Sequence, residues 1–70
     1  MALRRIPRVE ILSQGDEVVT GEIADTNAAW LSQALMAAGF DVSRHIAVGD
    51  RLESLIEALR EIGARADLCL

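Results

Sequence analysis

The sequence predicts an α/β fold, a mainly parallel sheet in a three-layer arrangement, of which these residues supply strand, helix, strand, helix and strand. Short β-rich segments alternate with longer segments of helical period, the pattern of parallel strands joined by right-handed crossovers. Glycines, two of them next to aspartate, punctuate the joins at Gly15-Asp16, Gly39, Gly49-Asp50 and Gly63. Hydrophobic residues make up 51% of the chain, yet Trp30 and Phe40 are its only aromatics, so the core must be aliphatic.

Arg8-Val9-Glu10-Ile11-Leu12-Ser13 is short, rich in β-formers and followed by a turn signal, and reads as the first strand. Gln14 to Asp25 reads as loop, with Val18-Val19 a candidate for a short extended piece. The first helix is expected to open at Asp25-Thr26-Asn27, each able to accept a free first-turn N–H. Ala28, Leu31, Leu35 and Ala38 then recur at helical spacing, and Gly39 is placed to end the helix in a left-handed conformation. From Phe40 to Val48 the chain alternates, with Phe40, Val42, Ile46 and Val48 on one face and Asp41, Ser43, His45 and Ala47 on the other. Arg44 breaks the pattern by falling on the apolar face. A half-polar strand of this kind belongs at a sheet edge.

Asp50, with Glu53 three residues on, has the form of a capping box for the second helix. Leu52, Leu55, Ile56, Leu59 and Ile62 form its apolar stripe, and Gly63 is expected to end it. Leu68-Cys69-Leu70 reads as the opening of a buried third strand. Residues 1–70 are therefore expected to be the N-terminal part of a single domain, cut within its third strand, because a buried strand that stops so soon leaves backbone groups without partners. With the second strand at the edge, the first lies between the second and third.

The net charge is −4, with seven arginines and no lysine. Acidic residues are spread along the chain, which argues against a nucleic-acid partner. Arg4, Arg5 and Arg8 cluster, but three charges neutralise few phosphates, and the cluster reads as a solvated extension. The N-terminus lacks the apolar region of a targeting peptide, and no apolar run approaches the ~20 residues needed to cross a bilayer. A single cysteine, Cys69, fits a reducing compartment and a cytoplasmic protein.

In an open α/β sheet ligands bind beyond the carboxyl ends of the strands, where strand order reverses. Here that point lies between the first and third strands, with the loop from Gln14 to Asn27 as one wall and Val48 to Asp50 close by. Gly15-Asp16 reads either as no more than a turn after the first strand, or as a point where Gly15 lets backbone approach an anionic or pterin ligand while Asp16 or Glu17 supplies a carboxylate. Asp25, Thr26 and Asn27 cap a helix, and a helix N-terminus beside a crevice also presents N–H groups to phosphate. His45 has no second ligand at metal-binding spacing, Cys69 no activating base, and Trp30 reads as core rim or subunit contact.

Ser13-Gln14-Gly15-Asp16-Glu17-Val18-Val19, Gly21-Glu22-Ile23, Asp25-Thr26-Asn27, Gly39-Phe40-Asp41-Val42 and Ala47-Val48-Gly49-Asp50, in that order, resemble the opening of the CinA (competence/damage-inducible) N-terminal domain. The MoaB/MogA and MoeA molybdenum-cofactor proteins share that domain type. The resemblance covers Val9 to Leu70 and implies a MoaB/Mog-like fold. It implies metal-dependent hydrolysis of an ADP-ribose-like pyrophosphate in the full-length protein, this stretch being inactive alone. It also leaves open a domain that binds or adenylylates molybdopterin. Asp50 takes the place of an aspartate near the reacting phosphates, which implies a catalytic role and a hold on a divalent cation such as Mg. The expected partner is a small nucleotide or pterin, and the expected assembly a homo-oligomer; a non-catalytic oligomerisation module is the reading from a different class. The family's Thr-Gly-Gly loop would follow the third strand.

Overall fold

The computed structural model describes residues 6–70, so Arg4 and Arg5 of the basic cluster lie outside it. β1 (Arg8–Gln14) is the central strand, paired in parallel with β2 (Asp41–Val48) on one edge and β3 (Leu68–Cys69) on the other. The α/β class, the parallel sheet and the strand order are those the sequence predicts. Because β2 and β3 flank opposite sides of β1, two right-handed crossovers must place their helices on opposite faces. α2 (Thr26–Ala37) makes the first crossover and α3 (Leu52–Arg65) the second. Alternation along β1 agrees, since Ser13 bonds to Asp25 at the start of α2 while Glu10 bonds to Arg65 at the end of α3.

α2 is bounded as its sequence dictates. Asp25 is the N-cap, its carboxylate accepting the Ala28 N–H at 3.0 Å. At the other end Gly39 takes a φ of 96°, which lets its N–H reach the Met36 carbonyl at 3.1 Å and the Phe40 N–H reach Leu35 at 3.0 Å. Those two bonds are the 5→2 and 6→1 pair of a Schellman terminator.

Four expectations are corrected. Asp16–Val19 is not loop or extended backbone but a one-turn helix, α1. Asp50 does not cap α3; the N-cap is Arg51, without a side-chain cap, and Glu53 lies 3.8 Å from Arg51 on the exposed surface. The Asp50 backbone and carboxylate are engaged by Asp16 instead. Gly63 does not end α3, which runs on to Arg65, because burial of Ile62 and the pairing of Arg65 outweigh a glycine cost of about 1 kcal/mol. The α3 stripe is only partly core. Ala58 and Ile62 are buried, whereas Leu52, Ile56 and Leu59 are exposed, since the apolar face is wider than the sheet beneath it.

β3 also differs from a fully buried strand. Its backbone is slotted beside β1, with Leu70 N–H on the Glu10 carbonyl at 3.0 Å and Leu12 N–H on the Leu70 carbonyl at 2.7 Å. The side chains of Leu68 and Leu70 nevertheless remain exposed. In β2 the register slips between Val9 and Glu10, so that Val42 faces Val9 but Arg44 faces Glu10, with Ser43 bulged between them. The bulge leaves Arg44 on the face of two apolar residues but sets it opposite Glu10. It places Val42 on the face of His45 and Ala47, and Arg44 on the face of Ile46 and Val48 beside Glu10.

Glu10 is fully buried in the central strand. A buried carboxylate costs several kcal/mol unless paired and hydrogen-bonded. Arg65 supplies both in a bidentate fork, Nε to Oε2 at 2.6 Å and Nη2 to Oε1 at 2.8 Å. The Arg65 hydrogen bond holds the Glu10 carboxyl below its ordinary range against the opposing pull of burial, with Arg65, Arg44 and Arg8 charges assisting. A lowered folded-state value means this stability is present above the ordinary value of 4.5 and is lost as pH falls through the folded value. Acid unfolding of the intact protein should therefore begin below pH 4.5, and Arg65→Met should destabilise it strongly at neutral pH. Glu10→Leu combined with Arg65→Met should recover most of that loss, because the cost lies in the unpaired charge. Denaturant melts of the two variants test this, and additive losses would contradict it.

Candidate functional site

A cleft of about 460 Å³ opens beyond the carboxyl ends of β1 and β3, a volume within the range of small-molecule sites. Ser13 and Gln14 of β1 form its base, Glu17 of α1 and Asp25, Thr26 and Asn27 at the start of α2 form its walls, and Leu70 closes the β3 side. Of the residues the sequence nominates, Glu17, Asp25, Thr26 and Asn27 thus come together on one cleft. Gly15, Asp16 and Asp50 do not line it.

Those three meet instead where α1 faces the loop after β2. The Gly15 N–H donates to the Val48 carbonyl at 2.9 Å, and the Asp50 N–H donates to Asp16 Oδ1 at 3.0 Å. Asp50 Oδ2 lies 3.5 Å from the Asp16 nitrogen. Gly15 turns the chain from β1 into α1 with a φ of 149°, a conformation that favours glycine. Gly49 is needed for a different reason. A Cβ on it would collide with Asp16 Oδ1, the atom that holds the Asp50 N–H.

At the base of the cleft three polar side chains from three elements converge. The Ser13 hydroxyl bonds to Asp25 Oδ2. His45 Nε2, from β2, lies 2.8 Å from Ser13 Oγ and 3.2 Å from Asp25 Oδ2. The Ser13 hydrogen bond, then the Ala28 N–H, holds the Asp25 carboxyl below its ordinary range, and His45 adds to the effect. The set is not a nucleophilic triad. In a triad the carboxylate takes Nδ1–H and leaves Nε2 to receive the serine proton, whereas here serine and aspartate share Nε2.

Ser13 and His45 were not among the residues the sequence nominates. From the sequence His45, on an edge strand with no second ligand at metal-binding spacing, reads as exposed or satisfied, with no partner named. The pairing of Ile11 with His45 and of Ser13 with Ala47 sets it diagonally beside Ser13 on the α2 face. The available signal was a serine directly after the apolar run of a central strand, where a helix must begin nearby.

Among the described residues no three His, Cys, Asp or Glu side chains are grouped to hold a metal. Asp16, the first residue of α1, and Asp50, in the loop after β2, each bond to the other's backbone N–H. No helix among the described residues is long and apolar enough to cross a membrane.

A parallel α/β sheet with crossover helices on both faces and a cleft at the reversal of its strand order is of the doubly wound class. Comparison with known proteins narrows the class. A family described as "Probable molybdopterin binding domain" matches residues 10–70, and the chain belongs to that family. It is 56% identical over 61 residues to a CinA-like protein of Desulfosudis oleivorans, covering 87% of this chain and 15% of that protein. Over 63 residues it is 43% identical to a nicotinamide-nucleotide amidohydrolase, PncC, of Shewanella oneidensis, covering 90% of this chain and 15% of that protein. The crystal structure of the protein CinA from Thermoplasma acidophilum superposes with a TM-score of 0.86 at 28% identity, over 91% of this chain and 38% of that one. The chain thus spans about 15% of the length of the curated relatives it matches.

The junction between α1 and the loop after β2 is testable without knowing the ligand. Gly49→Ala should swing the Asp16 carboxylate away from the Asp50 N–H, so Gly49→Ala and Asp16→Ala should each cost about 1 kcal/mol. Because both remove the same contact, the double variant should cost little more than either alone. Equilibrium unfolding measures this, and full additivity would show that Gly49 and Asp16 act separately.

Proposed function

We propose that this chain forms the near side of a nucleotide-processing site of the CinA type, and that the protein hydrolyses an ADP-ribose-like pyrophosphate with a divalent cation. The observation that carries the reading is the position of the cleft. It sits at the β1–β3 switch point, with Thr26 and Asn27 in the first turn of α2 on its wall. First-turn N–H groups carry the positive end of the helix dipole, which suits a phosphate oxygen. Asp25 does not oppose this strongly, because its oxygens are engaged by Ala28, Ser13 and His45.

Glu17 lines the cleft as an acceptor for a ribose hydroxyl or an amine. Asp50, with Asp16 beside it, is the pair assigned to the cation, which would neutralise phosphate charge. The CinA-type reading is supported by the family and by likeness to CinA-like relatives; a cytoplasmic, homo-oligomeric enzyme is proposed with it. The amidohydrolase name of one relative belongs to a protein of which this chain covers 15%, and it is not carried over to these residues. The second reading is a site that binds or adenylylates molybdopterin, favoured by the family description itself.

Turnover of ADP-ribose with Mg by the intact protein, against adenylylation of molybdopterin with ATP, separates the two. Asp50→Asn should lower the rate at least tenfold to a hundredfold without a comparable loss of stability, since a neutral amide cannot replace an anionic ligand to the cation. Chelation with EDTA should abolish turnover. An Asp50→Asn protein as active as wild type would remove Asp50 from the chemistry.

A further inference from the structure

We propose that Ser13 and His45 are positioning residues of the cleft: a directed chain of hydrogen bonds through them fixes Asp25, and with it the ligand-facing first turn of α2, against two strands of the sheet. The inference rests on the reading of the cleft as the ligand site.

The direction of the chain follows from counting protons. An ionised Asp25 can only accept, and Ser13 has one hydroxyl proton. Ser13 Oγ is in close contact with Asp25 Oδ2, so that proton must lie between them; otherwise two acceptors would face each other. Ser13 then has no proton left for His45, yet His45 Nε2 lies 2.8 Å from Ser13 Oγ and 3.2 Å from Asp25 Oδ2. Nε2 must therefore carry a hydrogen and donate to both. The chain runs from His45 Nε2–H to Ser13 Oγ–H to Asp25 Oδ2, while Asp25 Oδ1 accepts the Ala28 N–H at 3.0 Å.

The anchoring is triangular. Ser13 stands on β1, His45 on β2, and Asp25 caps the helix that joins those strands. Among the described residues these contacts are the hydrogen bonds that tie the start of α2 to the sheet. Ser13 and Asp25 line the cleft, whereas His45 does not, so His45 acts through them. The ligand class served is the one assigned to the α2 N-terminus, a nucleoside diphosphate.

The test compares His45→Phe, Ser13→Ala and His45→Gln in the intact protein, Gln having an amide N–H able to stand in for Nε2–H. Two quantities are read: amide hydrogen exchange at the start of α2 and in β1, and the dissociation constant for ADP-ribose. Loss of the anchor should speed exchange at Ala28 about fivefold, the scale of a lost helix cap, in both His45→Phe and Ser13→Ala, with β1 exchange unchanged. Affinity for ADP-ribose should fall by a similar factor, and His45→Gln should restore both readings. Unchanged Ala28 exchange in His45→Phe and Ser13→Ala, or a His45→Gln protein that behaves like His45→Phe, overturns the proposal. Should His45→Phe fail to fold, the Ser13→Ala and His45→Gln pair decides alone. Wild-type protein that binds no ADP-ribose but shows the stated exchange pattern would refute the nucleotide reading and leave the positioning role standing.

Discussion

The structure depends on β1 being paired along both edges. A parallel strand between two neighbours has both faces covered by crossover helices, so each polar side chain on it needs a partner from above or below. Of the polar side chains on β1, Glu10 and Ser13 are the two that are not exposed. Glu10 is answered by Arg65 from α3 on one face, and Ser13 by Asp25 and His45 on the other. Among the described residues no buried side-chain nitrogen or oxygen lacks a partner. These two contacts tie each helix to the sheet, the second at the base of the cleft.

Much of this arrangement was legible in the sequence because it follows from local rules. The Schellman terminator at Gly39, the cap at Asp25 and the edge position of β2 each rest on a few neighbouring residues. The failures share a cause in long-range contact. Asp50 has a complete local reason to cap α3, yet its backbone bonds to Asp16, 34 residues earlier. Gly63 is a helix terminator by propensity, and the Arg65–Glu10 fork overrides it. The bulge at Ser43, which cannot be read from a one-dimensional alternation, moves Arg44 to the side of Glu10.

The candidate site divides along the same line. Glu17, Thr26 and Asn27 flank a turn and a helix start, and proximity in sequence brings them to one cleft with Asp25. Gly15, Asp16 and Asp50 form a neighbouring junction, where the lack of a side chain on Gly49 leaves room for the Asp16 carboxylate. One cluster offers backbone N–H groups and anchored side chains; the other offers carboxylates. Phosphate chemistry needs both kinds of group, one to hold the anion and one to hold a cation against it. His45 was invisible because its role requires knowing which residue of β1 it stands beside.

The central claim is that the ligand seats its phosphates at the start of α2, between the ends of β1 and β3. A crystal structure of the intact protein soaked with ADP-ribose tests it most directly. The account predicts pyrophosphate oxygens within hydrogen-bonding distance of the Thr26 or Asn27 backbone, with the cation between those phosphates and Asp50. A ligand bound with its phosphates away from the α2 N-terminus, or on the opposite ends of the strands, would contradict it.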